Sequence, residues 1–185
     1  MAIKAKKSTD GAAKTINTET PSRLQQELQQ KVPFANVKAE AFLNVLRTAD
    51  ELQRRLRLAL KPYGLTETQY NALRILRGAG DPASACPLAS SLPCSEIGER
   101  LISHDPDITR LLDRLERQSL IQRSRDDKDR RIVLTHITAE GLAQLKTLDV
   151  VVETCVEQML GHMSASELRQ MIRLLEQARS SAPKL

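Results

Sequence analysis

Aliphatic residues recur every three or four positions through most of this chain, and that spacing constrains its fold more than any other feature. A period near 3.6 gives an α-helix one apolar face to bury, whereas strands alternate with a period of two. The pattern is longest over residues 36–60, where Phe42, Leu46, Ala49, Leu52, Leu56 and Leu60 form one stripe, with Arg47, Arg54, Arg55 and Arg57 mostly off it. Runs of β-branched residues are rare. The helical period gives way to extended segments in one region, residues 120–137, so the expected fold is mainly α with a small β-hairpin.

Local signals mark where the helices begin and end. Thr20-Pro21 reads as the opening of a short helix carrying Leu24 and Leu28. Lys61-Pro62-Tyr63-Gly64 ends the long one. Thr66 with Gln69 makes a capping box, and Leu65 with Tyr70 makes the hydrophobic staple of a helix running to about Arg77. Residues 81–93 hold three of the eight prolines and read as a loop. A short helix is expected over Cys94–Ile102, then a turn. Asp105 as N-cap and Pro106 as first residue open another helix, ending at Gln118. Extended segments Leu120–Ser124 and Arg131–Ile137 flank a charged tip. Thr138 caps a long helix over Ala139–Leu160, and Ser164 with Glu167, flanked by Met163 and Leu168, opens the last, to about Arg179.

Composition narrows the function. Of 185 residues 41% are hydrophobic but only 2% aromatic, with no Trp, so the core is aliphatic. A net charge of +5 permits a polyanionic partner without requiring one. No stretch approaches the roughly 18 consecutive apolar residues of a membrane span. The N-terminal lysines have no apolar segment behind them, and three cysteines are too few for a disulfide scaffold. A soluble, cytoplasmic protein without membrane contact is expected, with residues 1–20 a disordered basic tail.

The chemistry concentrates between residues 105 and 137. In the helix from Pro106, Ile108, Leu111, Leu112 and Leu115 fall on one face, and Arg110, Asp113 and Arg117 on the opposite one, flanked by Thr109 and Arg114. Preceded by a short helix and a turn, this is a candidate helix-turn-helix, in which Arg110 is placed to meet a guanine edge with two hydrogen bonds and Thr109 a thymine methyl or a phosphate. An amphipathic surface helix with solvated arginines would look the same in isolation. The neighbouring hairpin weighs against that reading. The segment SRDDKDRRIVLT, residues 124–135, places Arg125, Lys128, Arg130 and Arg131 on a hairpin tip with Arg123 beside it. Such cations hold phosphates or enter a narrow minor groove. Asp129, two residues before Arg131, is a candidate for fixing that guanidinium.

The stretch LLDRLERQSLIQRSRDDKDRRIVLTHITAEG resembles the core of the MarR family of winged-helix regulators: Asp-Arg-Leu late in the recognition helix, an apolar pair entering the hairpin, Asp-x-Arg at the tip, and Leu-Thr before the next helix. With the helix order, the resemblance spans roughly residues 35–180. It implies a winged helix-turn-helix lobe (63–138) on a helical dimerisation domain formed by residues 21–62 and 139–185, acting as a homodimeric, sequence-specific DNA-binding regulator, usually a repressor, on a pseudo-palindromic double-stranded operator. Thr109, Arg110 and Arg114 match the family's DNA-facing recognition positions, Arg131 the minor-groove arginine and Asp129 the acid beside it; Arg117, Arg125, Lys128 and Arg130 extend the expected DNA-binding set. The turn SHDPDI departs from the family's Ser/Thr-rich turn, placing Asp105 and Asp107 near DNA.

The family also implies regulation. A small aromatic or anionic effector would sit near the first two long helices, where Phe42, Tyr63 and Tyr70 lie; core packing is the alternative use of these rings. Cys94, at a helix start, and Cys86 are redox candidates, against idle thiols in a reducing cytosol, and Cys155 reads as packed. No enzyme or resident cofactor is expected. His104, His136 and His162 lack metal spacing, no phosphate loop or nucleophile motif occurs, and Asp126, Asp127 and Asp129 lack the Gly and Glu of a calcium loop. The competing class is a winged-helix module that binds DNA without sequence choice or serves protein interaction.

Overall fold

The computed structural model describes residues 21–79, 91–102 and 107–180. These form helices α1 (Arg23–Glu27), α2 (Val37–Leu60), α3 (Glu67–Gly78), α4 (Cys94–Arg100), α5 (Ile108–Arg117), α6 (Ala139–Leu160) and α7 (Ala165–Ser180). Strands β1 (Ser91–Pro93), β2 (Ile121–Arg125) and β3 (Val133–Ile137) make an antiparallel sheet in the order β1-β3-β2. The described residues divide into two compact units within α2, between Thr48 and Ala49.

In the first unit, α1 begins later than Thr20-Pro21 suggests. The Ser22 hydroxyl accepts the Gln25 amide at 3.3 Å and is the cap, which leaves Pro21 outside the helix. The apolar face is only a turn long, and Leu28 is already the C-cap. Asn36 starts α2 by accepting the Ala39 amide at 2.9 Å. Phe42 and Leu46, on the α2 stripe, are 63% and 51% exposed.

The second unit holds the main core: Leu60, Leu73, Leu76, Ile97, Leu112, Leu115, Ile121, Ile137, Leu145 and Leu148 are all essentially inaccessible. Its helix starts follow the expected side-chain chemistry. Thr66 and Gln69 exchange hydrogen bonds at 3.2 and 3.0 Å, with Leu65 and Tyr70 buried beside them. Thr138 accepts the Gly141 amide at 3.0 Å to begin α6. Ser164 and Glu167 make the reciprocal box of α7. Arg77 of α3 grips Asp149 of α6 with two hydrogen bonds of 2.6 and 3.1 Å, which hold that carboxyl below its usual range.

Three expectations need correction. The end of the proline-rich loop is not loop: Ser91–Pro93 pairs with β3, with Leu92 opposite Thr135 and buried. Proline fits there because β1 is, among the described residues, an edge strand of the sheet. Second, α5 starts at Ile108 with Asp107 as cap, its carboxylate accepting the Arg110 amide at 3.2 Å. Asp105, Pro106 and His104 lie outside the described residues. Third, the first hairpin strand is shifted by one residue and the second begins later, at Val133, so Arg131 and Ile132 belong to the tip.

Candidate nucleic-acid interface

Burying Leu111, Leu112 and Leu115 fixes the rotation of α5, and that rotation leaves Thr109, Arg110, Arg114 and Arg117 exposed on its outer side. The Arg110 side chain is 80% exposed, with its Nε 3.1 Å from Asp107 Oδ2. Asp107 therefore caps the helix and holds the arginine that projects from its first turn. The Arg117 Nε donates to the Asp113 carbonyl at 3.2 Å. Arg110 and Arg114 border a cleft of about 270 Å³ whose other wall is Thr66, Thr68 and Gln69 of the α3 start.

The wing tip is folded by its acids. Asp126 Oδ1 accepts the amides of Lys128 at 2.7 Å and Asp129 at 2.9 Å, and these two donors hold its carboxyl below the usual range. Backbone bonds from Asp126 to the Ile132 carbonyl and from Ile132 to the Asp129 carbonyl close the loop. Asp129 Oδ1 accepts the main-chain N–H of Arg131 at 3.0 Å, so its hold on Arg131 is through the backbone rather than the guanidinium. Arg125, Lys128, Arg130 and Arg131 are all exposed, and Arg125 also reaches the Arg130 carbonyl at 3.5 Å. Sequence reasoning missed the capping role of Asp126. The signal was available: an Asp two or three residues before amides it can cap is an Asx-turn pattern.

Two residues sit otherwise than expected. Arg123 is not a free tip cation but turns back to Glu116 and Asp113 of α5. Asp113, expected on the open face with Arg110 and Arg117, is one of its partners.

The regulatory candidates are dispersed. Tyr70 is 5% exposed and packed in the core, the Arg74 guanidinium 5.8 Å from its ring centre, and burial raises its hydroxyl pKa. Tyr63 stands on a single 3₁₀ turn, Lys61–Tyr63, and is partly exposed, while Phe42 is an exposed residue of the first unit. An apolar groove of about 490 Å³ between the α2 end and α6, lined by Arg55, Leu58, Val150, Cys155 and Met159 among others, includes none of the three rings. The half-buried Cys94 thiol lies 3.6 Å from the Val133 carbonyl oxygen and 3.5 Å from the Thr135 hydroxyl, at the base of the wing. Cys86 lies outside the described residues, and Cys155 is buried. His136 pairs with the Ser124 hydroxyl at 3.0 Å. Among the described residues no cluster of three or more His, Cys, Asp or Glu could hold a metal ion, and no helix is long and apolar enough to cross a membrane.

Known proteins share this fold. The family model described as MarR family matches residues 65–133, from the α3 start to the first residue of β3. A MarR transcription factor from Planctomyces limnophilus of known crystal structure is 36% identical, with a TM-score of 0.58 over 77% of this chain and 98% of its own. The homoprotocatechuate degradative operon repressor of Escherichia coli is 28% identical over 118 residues, which is 64% of this chain and 73% of that protein. The fold also matches that of Bordetella bronchiseptica BpsR, a protein whose DNA binding is regulated by 6-hydroxynicotinic acid, at 19% identity and a TM-score of 0.67 over 82% of this chain and all of that one. A winged helix-turn-helix with an outward arginine face, matched across nearly the whole of a 36%-identical MarR factor, places this chain in the MarR family of DNA-binding transcription regulators.

Proposed function

We propose that the protein is a cytoplasmic homodimer that binds a pseudo-palindromic operator, α5 entering the major groove and the wing tip the flanking minor groove, and that it usually represses. The observation that carries this reading is the outward set Thr109, Arg110 and Arg114 on a helix whose opposite face is locked in the core. Arg110, held by Asp107, then presents a guanidinium to a base edge, and Arg125, Lys128, Arg130 and Arg131 supply phosphate and minor-groove contacts. Dimerisation is supported by unpaired apolar surface on the helices outside the winged lobe. The 16-residue α7 has no buried residue, with Ile172 and Leu174 more than half exposed, and Val150 of α6 is 65% exposed. Exposed apolar surface on this scale fits burial against a second copy.

The wing contribution is tested by Arg131→Ala. Binding should weaken, and any preference for A·T pairs at the site flanks should fall, because a narrow A·T minor groove is what attracts an inserted arginine. Quantitative binding to duplexes differing only at the flanks reads this; an unchanged flank preference refutes the minor-groove role.

Release from DNA by a small aromatic or anionic compound belongs to the same proposal, by analogy with BpsR and 6-hydroxynicotinic acid. A panel of aromatic acids titrated into the complex should contain a member that both weakens DNA binding and raises the melting temperature of the free protein. A panel without effect on either removes the effector.

A further inference from the structure

We propose that Arg123 is a positioning residue that fixes the wing to the recognition helix, so that the two read DNA as one rigid piece; this rests on the DNA-binding reading above. Its Nε donates to Glu116 Oε2 at 2.9 Å, its Nη2 to Asp113 Oδ1 at 2.7 Å, and its main-chain N–H to Glu116 Oε1 at 3.1 Å. One residue of β2 is thus held to two successive turns of α5. The Arg123 side chain is only 24% exposed, and the Glu116 carboxylate beside its guanidinium raises its pKa while being itself held below the usual range. With Nε and Nη2 engaged on α5, Arg123 is poorly placed to serve as a phosphate ligand.

The position matters as much as the bonds. Arg123 pairs with Thr135 across the hairpin, and the Thr135 hydroxyl lies 3.5 Å from the Cys94 thiol of α4. The same rung of the wing is therefore held from both sides, by α5 through β2 and by α4 through β3. Arg131 stands four residues beyond that rung, past the end of β3 in the tip and so at most roughly 13 Å away. A tilt of about 15° at the rung would carry it by up to about 3 Å, the whole length of a hydrogen bond. Holding the rung keeps the wing arginine in register with Arg110 before DNA arrives, which lowers the ordering cost of binding. Asp113 and Glu116 thereby gain a use that a DNA-facing helix would otherwise deny to acids.

The test compares wild type with Arg123→Gln and Glu116→Gln on the duplex most enriched by wild type from a randomised pool, and on the same duplex with altered flanks. Melting temperatures are measured alongside. Both variants should bind about tenfold more weakly, as expected when a segment must be ordered on binding. Both should lose flank preference while keeping the preference at the base read by Arg110. Glu116→Gln is the sharper variant because it leaves Arg123 in place. If Arg123 were a phosphate ligand restrained by Glu116, freeing it would strengthen binding, and that result overturns the proposal. So does an unchanged flank preference in either variant. If Arg123→Gln fails to fold, Glu116→Gln alone decides. A wild-type protein without any sequence preference refutes the DNA-binding reading itself, and this result is visible before any variant is made.

Discussion

Gly141→Ala is expected to destabilise the protein by about 3 kcal/mol, at the upper end of what overpacking costs. In most helices the same change helps by up to about 1 kcal/mol, because alanine loses less backbone freedom on folding. Here there is no room. A Cβ at Gly141 would overlap the Leu120 carbonyl oxygen and stand 2.9 Å from Ile137 Cγ1. The carbonyl cannot simply withdraw, since it accepts the Thr138 amide at 3.1 Å, and Thr138 is the cap of α6. The close approach joins the exit of α5, the end of β3 and the first turn of α6, so strain there reaches the whole winged lobe. For a chain of this size the loss corresponds to roughly 6–12 °C in Tm. Gly98→Ala is the matched control, because a Cβ there meets nothing within 4 Å and should leave Tm unchanged or slightly higher. Thermal melts of the two variants check the claim, and a Gly141→Ala protein as stable as wild type would show that this junction has room for a methyl group.

Arg110→Ala should cost about 1–3 kcal/mol of affinity for the preferred site and relax preference at one base position. The cause lies in the core. Leu111, Leu112 and Leu115 leave α5 a single orientation, that orientation aims Arg110 away from the protein, and Asp107 limits its swing. A pre-aimed guanidinium loses less entropy when it forms two hydrogen bonds to guanine. Asp107→Ala should then weaken the preferred site more than random DNA, although it removes a negative charge near phosphates and simple electrostatics predicts tighter binding. Affinities for preferred and random duplexes at fixed salt separate the cases. Equal losses on both DNAs for Arg110→Ala would mean that Arg110 meets only phosphate, and the module without sequence choice would be the better description.

The features legible in the sequence are those that local chemistry encodes. Thr66 with Gln69, Thr138, and Ser164 with Glu167 sit at helix starts because a side chain and an amide three residues apart satisfy each other. The α5 face could be drawn from spacing alone, and the structure keeps Thr109, Arg110, Arg114 and Arg117 outward. Partnership across distance was not legible. β1 pairs with a strand some forty residues away, and three residues with a proline show no period. Arg123 lies in a run of charges, and nothing in that run tells that its acids are those on the preceding helix. In Asp105-Pro106-Asp107 either acid can cap a helix; the choice of Asp107 depends on where the buried leucines set the first turn. The stripe on α2 likewise marks an apolar face without saying whose core it enters, and Phe42 and Leu46 remain exposed in the single chain.

Central to the proposed function is that the chain reads a DNA sequence as a symmetric pair. Selection of duplexes from genomic fragments by the purified full-length protein, at near-physiological salt and with sequencing of the retained DNA, tests it most directly. Enrichment of a pseudo-palindrome with half-sites about one helical turn apart is the predicted result. Recovery of fragments with no shared motif would contradict it.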